Sequence, residues 1–168
     1  MTSIAGLFGN PIQHSLSPAI HNIWFSAYGI DAEYVLWKSL DEKNFAAKIS
    51  DLRRSENFLG ANITIPFKAA ALHTTPIHSP HVLKTGAANT LFRRKGVWAL
   101  DNTDVEGIKA TVAALVPEGL NFKTVILGYG ATARSVLAAL DELPNAQSSV
   151  VFTRTAEPAS AEGKFKKR

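Results

Sequence analysis

Thr124-Val125-Ile126-Leu127-Gly128-Tyr129-Gly130-Ala131-Thr132-Ala133 is the stretch that decides the fold class, because an apolar run enters a glycine turn there and leaves it with helical spacing. The run over 124–127 reads as a buried strand, the spacing beyond it predicts a helix over 131–143, and 149–153 reads as a second strand. Together they make a β-turn-α-β unit. The turn matches G-x-G-x-x-A between a strand and a helix, the context that a dinucleotide-binding loop requires. The first glycine permits the tight turn, and the second lets backbone N–H groups approach a pyrophosphate. Ala133 is small enough for close helix–strand packing, and the helix N-terminus adds partial positive charge. Gly128, Tyr129, Gly130, Ala131, Thr132 and Ala133 are therefore the candidate cofactor contacts. The second strand runs out in Thr153-Arg154-Thr155. An acid at that place would bind a ribose 2′-hydroxyl, whereas Arg154 suits a 2′-phosphate. The expected cofactor is NADP rather than NAD, with Thr153 and Arg154 at its phosphate.

Upstream of this unit, strand and helix patterns alternate. Residues 4–9 form a strand closed by Asn10-Pro11, and Ser17-Pro18 reads as a helix cap followed by proline at the first helical position. Ile20, Ile23, Trp24 and Tyr28 mark the apolar face of that helix, and Gly29 its stop. Residues 33–38 read as a second strand. Asp41 caps a helix running to about 55, with Phe45, Ile49 and Leu52 at helical spacing. A third strand over 61–66 carries Asn62 and Thr64 at alternate positions. Residues 69–84 read as a short helical stretch and a loop rich in Pro and His, and 89–93 with 97–101 as a hairpin about Arg94-Lys95-Gly96. An amphipathic helix follows over 104–116, with Val105, Ile108, Val112 and Leu115 on one stripe. The expected class is α/β: an N-terminal α/β substrate-binding domain over 1–103, then an incomplete Rossmann-type NADP-binding domain over 104–168. A doubly wound sheet usually has about six strands. Only two are legible here, so the expectation is a truncated version of a two-domain protein.

Composition narrows the class. With 46% hydrophobic residues among 168, the chain is not disordered. No apolar run approaches the roughly 18 residues of a membrane span, and the start of the chain lacks a charged n-region, so neither a transmembrane helix nor a signal peptide is expected. The 0 Cys exclude disulfides and thiolate metal sites and fit a reducing cytoplasm. The net charge of +4 would suggest nucleic acid, but Lys164, Lys166, Lys167 and Arg168 all lie at the C-terminal end. Without those four, the 18 basic residues fall into balance with the 14 acidic ones. A phosphate-backbone footprint is not indicated.

Ahead of residue 104 the polar residues cluster. Gly9-Asn10-Pro11-Ile12-Gln13-His14-Ser15-Leu16-Ser17-Pro18 places two hydroxyls around a helix start, an arrangement that suits a carboxylate. Asn62-Ile63-Thr64-Ile65-Pro66-Phe67-Lys68 aims alternate polar side chains at one face and ends in a lysine. Gly86-Ala87-Ala88-Asn89-Thr90 and Asp101-Asn102-Thr103-Asp104 add amides and carboxylates. His73, His78 and His81 lie close together in the chain, but with no carboxylate nearby and Pro76 and Pro80 intervening, no metal site is expected. His14 and His21 read as packing around the helix start, and Trp24, Trp37 and Trp98 as core.

In order and spacing these motifs, with the glycine loop at 128–133, make residues 3–155 resemble the shikimate dehydrogenase family. The resemblance implies reduction of 3-dehydroshikimate to shikimate with NADPH in aromatic amino-acid biosynthesis. It also implies Lys68 and Asp104 as the catalytic pair, Ser15 and Ser17 at the substrate carboxylate, and Asn62, Thr64 and Asn89 at its ring hydroxyls. Hydride reaching a ketone carbon leaves negative charge on oxygen, which needs a cation or proton donor within hydrogen-bond range. Lys68 supplies both, Asp104 orients it, and the direction of proton transfer stays open. The alternatives are a quinate/shikimate dehydrogenase of relaxed specificity, and a non-catalytic remnant that binds shikimate-like acids. Two positions depart from the family pattern: Ala131 stands where many relatives have a third glycine, and Thr153 where asparagine is common. The oligomeric state is not legible.

Overall fold

The structure, a computed structural model, describes residues 1–153 and 166–167. A five-stranded sheet has the order β2-β1-β3-β4-β5. β1 (Ser3–Gly9) runs parallel to both β2 (Ala32–Lys38) and β3 (Phe58–Ile63). β4 (Thr90–Arg94) and β5 (Val97–Asp101) then return as an antiparallel hairpin. Parallel neighbours cannot be joined by a tight turn, so helices cross between them. α1 (Ser17–Ala27) links β1 to β2, and α2 (Glu42–Leu52) links β2 to β3. The Asp41 carboxylate caps α2, accepting from the Asn44 N–H at 2.7 Å.

The two helices cover opposite faces of the sheet. On the α2 side Phe8, Phe45, Phe58, Phe67, Leu91 and Leu100 are all but fully buried. Phe45 meets Phe8 edge-on at 5.3 Å and stacks on Phe67 at 4.9 Å. On the α1 side Leu7, Ile12 and Tyr34 pack with Phe25. Gly60 sits at φ +151°, where a Cβ would lie 2.5 Å from the Leu91 carbonyl oxygen, so β3 approaches β4 closely only because no side chain intervenes.

Three sequence expectations shift here. The cap of α1 is Leu16 and not Ser17; Ser17 is the first helical residue, and its N–H is taken by the Ser15 hydroxyl at 3.2 Å. The stripe Ile20, Ile23, Trp24 and Tyr28 is exposed, Trp24 by 54%, so Trp24 is not core, while Trp98 is buried and Trp37 packs against the core. The reason is polar. Asn22 brackets the backbone of the edge strand, donating to the Tyr34 carbonyl at 3.2 Å and accepting from the Tyr34 N–H at 2.8 Å. His21 stacks on the Tyr34 ring at 4.1 Å. Satisfying otherwise unpaired edge groups turns this face of α1 inward and the stripe outward. The third strand begins and ends three residues earlier than its alternation suggested, which leaves Thr64 beyond its end.

The Pro/His-rich stretch contains a 3-10 turn, Ala70–His73, and a short helix α3 (Pro80–Thr85), which the Ser79 hydroxyl caps. α4 (Asp104–Leu115) leads out of the first sheet, with Val105 buried and Leu115 exposed. β6 (Phe122–Leu127), α5 (Ala131–Asp141) and β7 (Ala146–Phe152) form the expected β-turn-α-β unit with parallel strands, and a two-residue β8 (Lys166–Lys167) pairs with β7. Ile126 and Val151 pack under Leu137 and Leu140 of α5. No helix among the described residues is long and apolar enough to cross a membrane.

α3, α4 and α5 meet in an ion-pair cluster. His81 Nε2 lies 3.4 Å from Glu142 and 3.7 Å from Glu106, so carboxylates from distant parts of the chain do approach a histidine of this segment, contrary to the sequence expectation. The cluster has its own cations, with Lys109 Nζ 3.0 Å from both Glu106 and Glu142, and Lys84 Nζ 2.8 Å from Asp141. His78 instead faces the carbonyls of Thr75 and Leu72, at 2.8 and 3.1 Å.

Phe45→Ala is expected to lower the unfolding free energy by about 3–5 kcal/mol in a urea titration, through lost transfer energy and the cavity left between Phe8 and Phe67. A loss below about 1 kcal/mol would show that Phe45 is not at the packing centre.

Candidate active site

β3 ends at Ile63, and the chain turns sharply over 64–68, held by the Thr64 N–H to the Phe8 carbonyl at 2.8 Å and the Phe67 N–H to the Thr64 carbonyl at 2.9 Å. Phe67 is driven into the core beside Phe45, so its neighbour Lys68 projects from a fixed base. Asp104 opens α4, with two residues between it and the end of β5, the last strand of the first sheet. Lys68 Nζ donates to Asp104 Oδ2 at 2.5 Å. The two side chains are only 15% and 23% exposed, so the pair is partly desolvated and attracts more strongly than a surface ion pair. The second carboxylate oxygen, Oδ1, accepts from Asn89 Nδ2 at 2.8 Å.

From Asn89 a continuous run of hydrogen bonds crosses the end of the sheet. Thr90 Oγ1 donates to Asn89 Oδ1 at 2.8 Å and lies 3.4 Å from Asn62 Nδ2. The Tyr34 hydroxyl donates to Asn62 Oδ1 at 2.8 Å and is also hydrogen-bonded to the Ser17 side chain. The Ser15 hydroxyl donates to Ser17 Oγ at 3.1 Å. Six of the seven candidate substrate residues, Ser15, Ser17, Asn62, Lys68, Asn89 and Asp104, thus belong to one network. The seventh, Thr64, lines the adjoining cleft beside Lys68.

Tyr34 and Thr90 join the network without having been singled out from the sequence. A tyrosine at an alternate position of a strand looks like any core aromatic, and only the pairing of β2 with β1 and β1 with β3 carries its hydroxyl to Asn62.

The cleft beside Lys68 has a volume of about 740 Å³ and is bounded across from Thr64 and Lys68 by Gly128, Gly130, Ala131, Thr132, Ala133 and Arg134. Gly128 takes φ +101°, a conformation open to glycine, and Gly130 caps α5 without a side-chain capping bond among the described residues. A Cβ on either glycine would meet nothing within 4 Å among the described residues, so there the loop borders open space. Ala133 and Tyr129 pack against the Ile126 and Leu137 cluster. Uncapped N–H groups at a helix start, beside a roomy cleft, fit the pyrophosphate of a dinucleotide. Arg134 Nη2 reaches the Gly86 carbonyl at 3.3 Å, tying the glycine-loop helix to the segment that carries Asn89. Thr153 is half-buried at the end of β7, and Arg154 lies outside the described residues.

Burial pushes the Tyr34 phenol well above its ordinary pKa, and the Ser17 hydrogen bond only partly opposes this. The unfolded chain therefore releases this proton near pH 10 while the folded chain keeps it, so stability falls as pH rises through about 10. Tyr34→Phe is expected to flatten that alkaline slope in urea titrations at stepped pH; an unchanged slope would show that Tyr34 is not its source.

Residues 7–91 match the family model of the shikimate dehydrogenase substrate binding domain. A shikimate dehydrogenase (NADP(+)) of Caulobacter vibrioides is 39% identical over 155 residues, 90% of this chain and 53% of the relative. One of Ignicoccus hospitalis is 38% identical over 156 residues, 91% of this chain and 56% of the relative. The crystal structure of shikimate 5-dehydrogenase from Thermus thermophilus in complex with NADP(H) and shikimate superposes with a TM-score of 0.77 at 31% identity, over 92% of this chain and 57% of that one. The chain spans about half the length of the curated relatives it matches. With half of its residues matched by that family model and the motifs in their expected order, the chain belongs to the shikimate dehydrogenase family.

Proposed function

We propose that this chain binds shikimate and 3-dehydroshikimate at the Ser15-to-Lys68 network, and that it takes part in the NADP-dependent interconversion of the two within aromatic amino-acid biosynthesis in the cytoplasm. The observation that carries the reading is the network itself: an ammonium, a carboxylate, two amides and paired serine hydroxyls are linked across one end of the sheet, and the ammonium borders the cleft that the glycine loop lines. A small polyhydroxylated acid needs that set of partners. In this reading Ser15 and Ser17 hold the substrate carboxylate with their hydroxyls and the nearby α1 N-terminus. Asn62, Thr64 and Asn89 take the ring hydroxyls. The chain divides at 103/104 into a substrate-binding unit and a cofactor-binding unit.

The glycine loop would hold the pyrophosphate of NADP through the first-turn N–H groups of α5, with Thr153 and Arg154 at the 2′-phosphate. When bound, NADPH supplies the hydride that reduces the ketone. The chain's own task is then electrostatic. An ammonium has three donors and Lys68 directs one of them to Asp104, so hydrogens remain for the oxygen on which charge develops. Asp104 is held on one oxygen by Asn89 and on the other by Lys68, which fixes the ammonium in place before substrate arrives. Such preorganised donors contribute most where water is excluded. The low exposure of both side chains supports that role.

Titration calorimetry with shikimate, followed by an NADPH oxidation assay with 3-dehydroshikimate on the same sample, tests the reading. Binding with oxidation is expected. Binding without oxidation favours a non-catalytic binder of shikimate-like acids, and equal turnover of quinate favours the relaxed-specificity enzyme. Lys68→Ala is expected to lower kcat by about 10²–10⁴ while KM changes little, and a variant with undiminished kcat would remove Lys68 from the chemistry. Arg154→Ala is expected to raise KM for NADP selectively; if NAD serves the unaltered protein equally well, Arg154 does not read the 2′-phosphate.

A further inference from the structure

Asn102 is fully buried, and its side chain touches three separate elements. Its Nδ2 donates to Thr85 Oγ1 on α3 and to Ser135 Oγ on α5, both at 2.9 Å. Its Oδ1 accepts from the backbone N–H of Asp104 at 3.3 Å. The orientation of this amide is forced. Ser135 directs its own hydrogen to the Ala131 carbonyl at 3.2 Å, and Thr85 directs its hydrogen to the carbonyl of His81 at 2.7 Å or of Ala87 at 3.1 Å. Both hydroxyls therefore present only lone pairs to Asn102, so the amide nitrogen must face them and the amide oxygen must face Asp104. That oxygen takes the N–H of the first residue of α4, whose cap residue Thr103 makes no side-chain capping bond, while Asn89 Oδ1 holds the preceding N–H of Thr103 at 3.0 Å. Behind Asn102, the Asp101 carboxylate fixes the backbone by accepting from the Asn102 N–H at 2.7 Å and the Ser79 hydroxyl at 2.6 Å.

We infer that Asn102 is a positioning residue for Asp104: held by the Thr85 and Ser135 hydroxyls, it sets the first turn of α4 so that the Asp104 carboxylate meets Lys68 and Asn89. Through Ser135 the same amide fixes the seat of the helix that carries the glycine loop. The orientation of the carboxylate and the position of the cofactor loop are thereby referred to one buried side chain. The functional half of this inference rests on the reading that Lys68 and Asp104 face the substrate; the geometric half does not.

The test uses Asn102→Ala, Thr85→Val, which keeps the volume and removes the hydroxyl, and Thr85→Ser, which keeps the hydroxyl. Two quantities are read on the full chain: the Lys68 15Nζ ammonium resonance, assigned with Lys68→Met, and the shikimate affinity by calorimetry. Thr85→Ser is expected to match the unaltered protein in both. Thr85→Val and Asn102→Ala are each expected to shift or erase the ammonium resonance and to weaken shikimate binding by about tenfold, as losing a partner to a buried amide implies. If Asn102→Ala does not fold, Thr85→Val decides. A folded Thr85→Val protein with an unchanged Lys68 resonance and unchanged affinity overturns the inference. Should the unaltered protein bind no shikimate, the functional reading fails, and the resonance alone still decides whether Asn102 positions Asp104.

Discussion

The contact between the Lys68 ammonium and the Asp104 carboxylate joins the turn after β3 to the first residue of α4, 36 positions along the chain. Two opposite charges with most of their surface removed from water are unfavourable singly and tolerable together, so each constrains the other. Much of the surrounding structure serves that constraint. Phe67 sinks into the aromatic core and anchors the lysine, while Asn89 occupies the carboxylate oxygen that the lysine does not use. The hairpin of β4 and β5 then brings Asn89 and Asp104 to the same end of the sheet.

Beyond the pair, the site is organised by neutral hydrogen bonds. Ser15, Ser17, Tyr34, Asn62, Thr90 and Asn89 are linked across the sheet order β2-β1-β3-β4-β5, the Tyr34 hydroxyl reaching over β1 to Asn62. Connected polar networks of this kind favour one arrangement of their side chains, because an alternative leaves a half-buried donor or acceptor unpaired. Among the contacts that join the second sheet to the first are the buried amide of Asn102, the apolar packing of Val105 on Ala138 and Ala139, and the cluster of Lys84, His81, Lys109, Glu106, Asp141 and Glu142 at the rim. The rim contributes little individually in water, whereas the buried amide costs a full desolvation if it is unmatched.

Among the described residues, two groups of large apolar side chains are exposed together. Ile23, Trp24 and Tyr28 stand out from α1, and Val125, Leu127 and Phe152 alternate with the buried residues of β6 and β7. Parallel strands are ordinarily covered on both faces, and among the described residues α5 covers one. The alternation of Val125, Ile126 and Leu127 was not legible beforehand, since a continuous apolar run predicts burial without saying which residues have a partner.

The chain's sequence by itself determined the α/β class, the glycine turn between strand and helix, the Asp41 cap, the hairpin and the order of the polar motifs, because each depends on residues within a few positions of one another. It also placed Lys68 and Asp104 in motifs of one family, though not against each other by any local rule. Tertiary structure alone decided which face of α1 turns inward, that Thr64 falls beyond its strand, that Tyr34 and Thr90 complete the network, and that Asn102 faces two helices at once. Those outcomes rest on strand order and on hydrogen bonds between residues far apart in the chain, 12 positions for Asn22 and Tyr34, 28 for Tyr34 and Asn62, and 33 for Asn102 and Ser135. Local patterning carries no record of which distant backbone or hydroxyl will be left needing a partner.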